Sequence, residues 1–204
     1  MTATAYDRSI AGRLRSLNCD GGYGLALAAA LLLVALLAAG GEPWRLALRY
    51  ERAAIAQGEW WRLLGAHLVH LGARHALLDA AGLALLWVLY ARALAPLRWL
   101  LVLGVALAAI DAGLWWLSPG IAWYVGISGL LHGAWAAGAA GSWRTERSHA
   151  LLSLGLLAAK LAAEQWHGGG VAGSGLPVVV AAHLYGAVGG LAGALAMRGR
   201  AARL

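Results

Sequence analysis

Residues 21–41, GGYGLALAAALLLVALLAAGG, run for 21 positions without a charged side chain. About 20 such residues coiled as a helix cross a hydrocarbon core of about 30 Å, and lipid admits only spans that satisfy their backbone N–H and C=O groups internally. This run therefore sets the class of the chain as a helical membrane protein. Five more apolar stretches follow, at about 71–91, 99–117, 126–143, 149–166 and 177–197. The expected fold is all-α, a polytopic six-transmembrane-helix bundle. Composition agrees: of 204 residues, 61% are hydrophobic and 12% charged, against about 45–50% and 25% in soluble domains, and mean hydropathy is +0.68. The expected organisation is a tail over 1–20, a membrane domain over 21–198 and a short basic tail over 199–204. No length remains for a large soluble module, so function must be built into the bundle.

The net charge of +7 would suggest a nucleic-acid partner in a soluble protein; here no such partner is expected, because the arginines sit between apolar runs. Arg8, Arg13 and Arg15 precede the first span, Arg92 and Arg98 join the second to the third, Arg144 and Arg147 join the fourth to the fifth, and Arg198, Arg200 and Arg203 follow the sixth. With six spans all of these fall on one side, while 118–125 and 167–176 contain no Lys or Arg. The positive-inside rule then places both termini in the cytoplasm of a bacterial inner membrane. The exception is 42–65, whose mixed charge and paired Trp60-Trp61 read as a cap on the membrane surface. Trp44, Trp60, Trp99, Trp115, Trp116, Trp143 and Trp166 fall near span ends, as interfacial anchors do. The first span resembles a signal peptide in its basic flank and small residues, yet it is long enough to span and five more spans follow it. A lone Cys19 excludes an internal disulfide framework and a cysteine metal cluster.

Polar groups inside lipid are costly, so their convergence marks a candidate site. Spans two, four and six all enter from the non-cytoplasmic side, and each carries its polar residues early: His70, His75 and Asp79; Ser128 and His132; His183. Gly126-Ile127-Ser128-Gly129 opens span four, so Ser128 sits at a helix N-terminus where free N–H groups favour an oxyanion. His183, Gly186 and Gly190, at offsets of three and seven, share one face of span six. Gly129 and Gly133 offer matching small-residue spacing on span four, which lets two backbones approach closely. Such an approach is what a serine–histidine hydrogen bond requires.

These residues resemble the rhomboid intramembrane serine proteases. The resemblance rests on Gly126-Ile127-Ser128-Gly129 with Gly133, on Ala182-His183-Leu184-Tyr185-Gly186 with Gly190, on Trp61-Arg62 and on the His70-x4-His75 pattern. Within that family the small size and the segments 58–64, 126–133 and 182–186 look most like the rhombosortase subgroup. The resemblance implies a Ser128 nucleophile and a His183 base. It also implies oxyanion support from the Ser128 N–H, beside Gly129, and from side chains at His75 and Asp79. The family usually has Asn at the last of these positions. Two roles for Asp79 follow: a protonated donor, or an acceptor that orients His75. His132 stands where the family often has an aromatic packed on the catalytic imidazole. The implied substrate is a membrane-anchored protein with a C-terminal transmembrane helix after a Gly-Gly signal, cleaved on the periplasmic side; no metal or other cofactor is implied.

Asp111, Lys160 and Glu164 stand outside this reading. Lys160 and Glu164 lie one turn apart and can neutralise each other; Asp111 can pair with Lys160 across helices. His67, His70, His149 and His167 read as loop or interface residues. The glycine-rich loop 168–175 reads as a linker, or as a hinge that admits substrate and water. Two competing classes are a non-proteolytic rhomboid-like protein that binds or translocates membrane proteins, and a small proton path or transporter.

Overall fold

A computed structural model describes residues 10–167 and 178–201, the last four by backbone alone. The glycine-rich loop at 168–175, and Arg8 and Arg203, lie outside the described residues. In chain order the elements are α1 (Ile10–Ser16), α2 (Gly21–Ala39), α3 (Gly41–Leu48), β1 (Tyr50–Glu51), α4 (Arg52–Ala56), α5 (Trp61–Gly65), α6 (Ala73–Tyr90), α7 (Pro96–Ala112), β2 (Trp123–Tyr124), α8 (Ser128–Gly141), α9 (Arg147–His167) and α10 (Val180–Ala201). Helix α7 continues as a π-helical turn over Gly113–Leu117. Four helices are long and apolar enough to cross a bilayer: Gly21–Ala39, Ala73–Tyr90, Pro96–Leu117 and Val180–Met197. Together with the family assignment below, they make the chain a multi-pass membrane protein. The expected all-α class needs one amendment. β1 and β2 form a two-residue antiparallel ladder, with Tyr50 opposite Tyr124, too short to leave any alternation in the sequence.

α8 is the centre of the bundle, packed by α6, α7, α9 and α10. Its 14 residues reach only about 21 Å, and its Ala- and Gly-rich surface is buried against its neighbours from Gly129 to Ala140. A helix enclosed by protein has no lipid thickness to match. α2 is the opposite case. It is apolar on every face, Leu25, Leu32, Leu33 and Leu36 are exposed, and Val34 is its buried residue, as expected of a helix in hydrocarbon. It is fixed at one end, where Asn18 Nδ2 donates to the Val88 carbonyl at 2.7 Å, Trp87 Nε1 donates to the Asn18 carbonyl at 3.0 Å, and Arg92 Nη2 donates to Asp20 Oδ1 at 2.7 Å. The Arg92 hydrogen bond holds the Asp20 carboxyl below its ordinary range.

The cap over 41–72 is tied down by two half-buried arginines. Arg52 donates to the carbonyls of Leu114, Trp115, Ser118 and Ile121, which satisfies carbonyls freed where α7 widens into its π turn and stops. Arg62 bridges Glu59 and the carbonyls of Leu46 and Arg49. Among the tryptophans expected at the interface, Trp44, Trp60, Trp116 and Trp166 are exposed.

One expected pairing and two expected placements change. Asp111 does not meet Lys160: its Oδ1 lies 3.2 Å from His67 Nε2, because both reach the loop end of the bundle beneath the cap. His67 is accordingly fully buried and not an interface residue, and His70 is buried as well.

Candidate active site

The segment before α8 is buried and non-helical, so its backbone groups need partners within the protein. It meets that requirement. The Gly126 N–H donates to the Ala66 carbonyl at 2.9 Å, and the buried Tyr124 hydroxyl donates to the Gly126 carbonyl at 2.6 Å. Gly126 has φ +117°, and a Cβ there would lie 2.8 Å from His75 Cε1. Both facts demand glycine. The turn delivers Ser128 to the first position of α8. The first rung there is Leu131 N–H to the Ile127 carbonyl, so the N–H groups of Ser128, Gly129 and Leu130 precede the ladder.

α10 approaches α8 backbone to backbone. A Cβ on Gly186 would strike the Gly129 carbonyl, one on Gly190 the Gly133 carbonyl, and one on Gly133 would lie 2.8 Å from the Gly186 carbonyl. Interlocked glycines of this kind replace side-chain packing with carbonyl contacts. This contact sets His183 against Ser128: Ser128 Oγ donates to His183 Nε2 at 2.9 Å. The other ring nitrogen, Nδ1, donates to Glu164 Oε2 of α9 at 2.9 Å, and Lys160 Nζ donates to Glu164 Oε1. Glu164 and His183 are both buried.

His132, one turn after Ser128, stacks on His183 with ring centroids 4.1 Å apart and planes 13° apart. Its Nδ1–H donates to the Ser128 carbonyl at 2.7 Å. That bond places the proton on Nδ1 and leaves Nε2 without a hydrogen-bond partner among the described residues. From α6, His75 Nδ1 accepts the Leu71 N–H at 3.3 Å, so Nε2 carries the proton of the neutral ring. Asp79 Oδ2 lies 3.3 Å from His75 Nε2 and 3.2 Å from His70 Nε2.

Ser128, His132, Glu164, Lys160, His183, His75 and Asp79 line one cavity of about 530 Å³. Leu78, Leu85 and Leu89 of α6 and Leu152 and Leu156 of α9 form its apolar flanks. Of the candidates named from the sequence, Ser128, His132, His183, His75 and Asp79 line this cavity, Gly129, Gly133, Gly186 and Gly190 form the α8–α10 contact, and Gly126 and His70 lie against His75 and Asp79 outside the lining. Sequence reasoning missed the contact of Glu164 with His183 and the Tyr124 hydroxyl that secures the turn. The first is set by the observed helix ends, since Glu164 lies three residues before the end of α9 and His183 three after the start of α10, a match that the expected ends at 166 and 177 do not show. Donor atoms of His132, Glu164 and His183 lie within 4.8 Å of one another. Both His183 nitrogens are already engaged, so an ion there would break one of those bonds.

A family model described as Rhomboid domain matches residues 57–200, well over half of the chain and all of the site. Comparisons with curated proteins and with solved structures give no match. A serine at a helix N-terminus bonded to a histidine across a glycine seam, within a membrane-embedded helical chain that matches this model, leaves one conclusion: the chain belongs to the rhomboid family of intramembrane serine proteases.

Proposed function

We propose that the chain is a serine endopeptidase that cleaves membrane proteins carried by a C-terminal anchor helix, with Ser128 as nucleophile and His183 as general base. The observation that carries this reading is the 2.9 Å hydrogen bond from Ser128 Oγ to His183 Nε2 inside the cavity. Ser128 Oγ attacks the scissile carbonyl carbon while its proton passes to His183 Nε2, and the C=O π pair becomes the oxyanion. The tetrahedral species collapses, the C–N bond breaks, and His183 returns the proton to the leaving amine. Water then attacks the acyl-enzyme, giving a proton to His183, and departure of Ser128 Oγ reclaims it. The α8 N-terminus supplies the Ser128 N–H and the positive end of a helix dipole to the oxyanion, and Asp79 orients the His75 ring beside the turn.

Of the two roles for Asp79, the acceptor role fits better, because Oδ2 lies 3.2 Å from His70 Nε2 and 3.3 Å from His75 Nε2, in approaches that do not close into hydrogen bonds. Asp79→Asn is therefore expected to lower cleavage by about 10- to 100-fold, through loss of the carboxylate that aligns His75. Steady-state cleavage checks this; an unchanged or faster rate would make Asp79 a neutral donor.

We propose six membrane helices, of which α2, α6, α7, α9 and α10 cross the full bilayer and α8 is the short central one. α8 stops short of one surface, so water and substrate meet below the headgroups. The arginine distribution supports cytoplasmic termini, an inner-membrane location and a site open to the periplasm. Substrate enters between α6 and α9, where the cavity is bounded by exposed leucines. An intact helix hides its carbonyls, so the cleaved segment must unwind readily. A Gly-Gly signal ahead of the anchor helix meets that need, as in the rhombosortase subgroup.

The test is cleavage in liposomes of a soluble domain joined through Gly-Gly to an apolar helix and an arginine tail, with a Leu-Leu version beside it. Cleavage by wild type near Gly-Gly, loss with Ser128→Ala and at least tenfold slower cleavage of the Leu-Leu version are expected. Equal cleavage of both versions would remove the Gly-Gly preference. Substrate binding with no cleavage would favour a non-proteolytic binding or translocating protein.

A further inference from the structure

We infer that Glu164 completes a Ser128–His183–Glu164 relay as a positioning residue, and that Lys160 locks it in place; this rests on the hydrolase reading above. A dyad needs His183 to present an unprotonated Nε2 to Ser128. Nothing in an isolated imidazole ensures that, since the proton can sit on either nitrogen. The Glu164 contact at 2.9 Å decides it: a carboxylate oxygen only accepts, so it holds the proton on Nδ1 and leaves the Nε2 lone pair facing Ser128 Oγ. The reversed tautomer would set an Nδ1 lone pair against a carboxylate lone pair and a proton against the serine.

The carboxylate is itself fixed. Oε2 receives His183 and Oε1 receives Lys160, so both oxygens are engaged and the plane cannot rotate without breaking a bond. A Lys–Glu pair formed only for its own neutralisation requires neither burial nor a second helix. Here Glu164 is buried and its free oxygen is spent on His183 of the neighbouring helix. The other charged and titratable groups around His183 are placed differently. His132 stacks on its face from α8, His75 and Asp79 stand on α6 across the cavity, and Asp111 of α7 is paired with His67. Only Glu164 meets Nδ1 among the described residues.

When Ser128 transfers its proton, His183 becomes an imidazolium in a nearly apolar site. Glu164 balances that charge through the Nδ1–H bond. No proton moves to Glu164, and the ammonium of Lys160 keeps the resting relay neutral overall.

The experiment compares wild type, Glu164→Gln, Glu164→Gln/Lys160→Met and Ser128→Ala, each as the full chain in liposomes, by kcat and KM for the anchored substrate, with unfolding midpoints in detergent. Both Glu164 variants are expected to lower kcat by roughly 10²–10⁴-fold with KM within about twofold, and Ser128→Ala to be inert. The double variant removes both charges together, so it separates loss of orientation from the strain of an orphaned lysine. A folded double variant with kcat within threefold of wild type overturns the relay while leaving the Ser128–His183 pair intact. A raised KM at unchanged kcat overturns it as well, making Glu164 a substrate contact. Loss of the unfolding transition in both variants reduces the pair to a structural one. Cleavage that persists in Ser128→Ala sinks the Ser128 nucleophile and with it the reading on which the relay rests.

Discussion

Replacing His183 by alanine lowers the cleavage rate of a liposome-bound substrate by roughly 10⁴–10⁶-fold, Ser128→Ala does the same, and the double variant is no worse than either. The size follows from the arrangement. Within the cavity, His183 Nε2 is the nitrogen bonded to the Ser128 hydroxyl. No other imidazole is bonded to that hydroxyl: His132 binds the Ser128 carbonyl through Nδ1 and stacks on His183, and His75 Nδ1 accepts the Leu71 N–H. A serine without its base is a weak nucleophile, and removing one member of a unit forfeits nearly all that the unit supplies. Two single variants whose losses multiplied in the double would mean that the residues act separately, contrary to the shared proton.

Gly186→Val is the second large effect. Its side chain would occupy the space of the Gly129 carbonyl, the residue next to Ser128, so α10 must move away from α8. Overpacking of this kind costs about 1–3 kcal/mol of stability, and a shift near 1 Å at a reacting pair costs about 10²-fold in rate. We therefore expect a lowered unfolding midpoint in detergent together with at least a 100-fold loss of kcat. The contrast is Gly155→Ala on α9, where an added Cβ meets nothing within 4 Å. Wild-type activity in Gly186→Val would mean that close backbone contact is not what aligns the pair.

The long helices lie within a few residues of their expected positions because bilayer thickness fixes how much apolar chain each needs. α2 covers Gly21–Ala39 against 21–41, and α6 covers Ala73–Tyr90 against 71–91. Where local geometry intervenes, the ends shift. α8 starts at Ser128 and not at 126, because Gly126 at φ +117° cannot belong to a helix. Its brevity, and the charges on α9, keep both below the length and hydropathy of a self-evident span, although both pack inside the bundle. α10 runs to Ala201, through the expected tail boundary at 199.

At the site, small-residue spacing made the α8–α10 approach legible, because glycines at offsets of three and four state where backbones can touch. Glu164 was legible only as a partner of Lys160, since a spacing of four is local and says nothing about the rotation of α9 relative to α10. The Asp111–His67 pair was hidden for a related reason: His67 belongs to the cap, whose fold depends on tertiary anchors such as Arg52 and not on any periodic pattern.

The most direct measurement is peptide mapping, by mass, of the liposome-reconstituted full chain after treatment with a fluorophosphonate. The account predicts a single phosphonyl adduct on Ser128, absent from Ser128→Ala and formed at least 100-fold more slowly in His183→Ala. An adduct on another residue, or labelling of Ser128 at the same rate without His183, would contradict it.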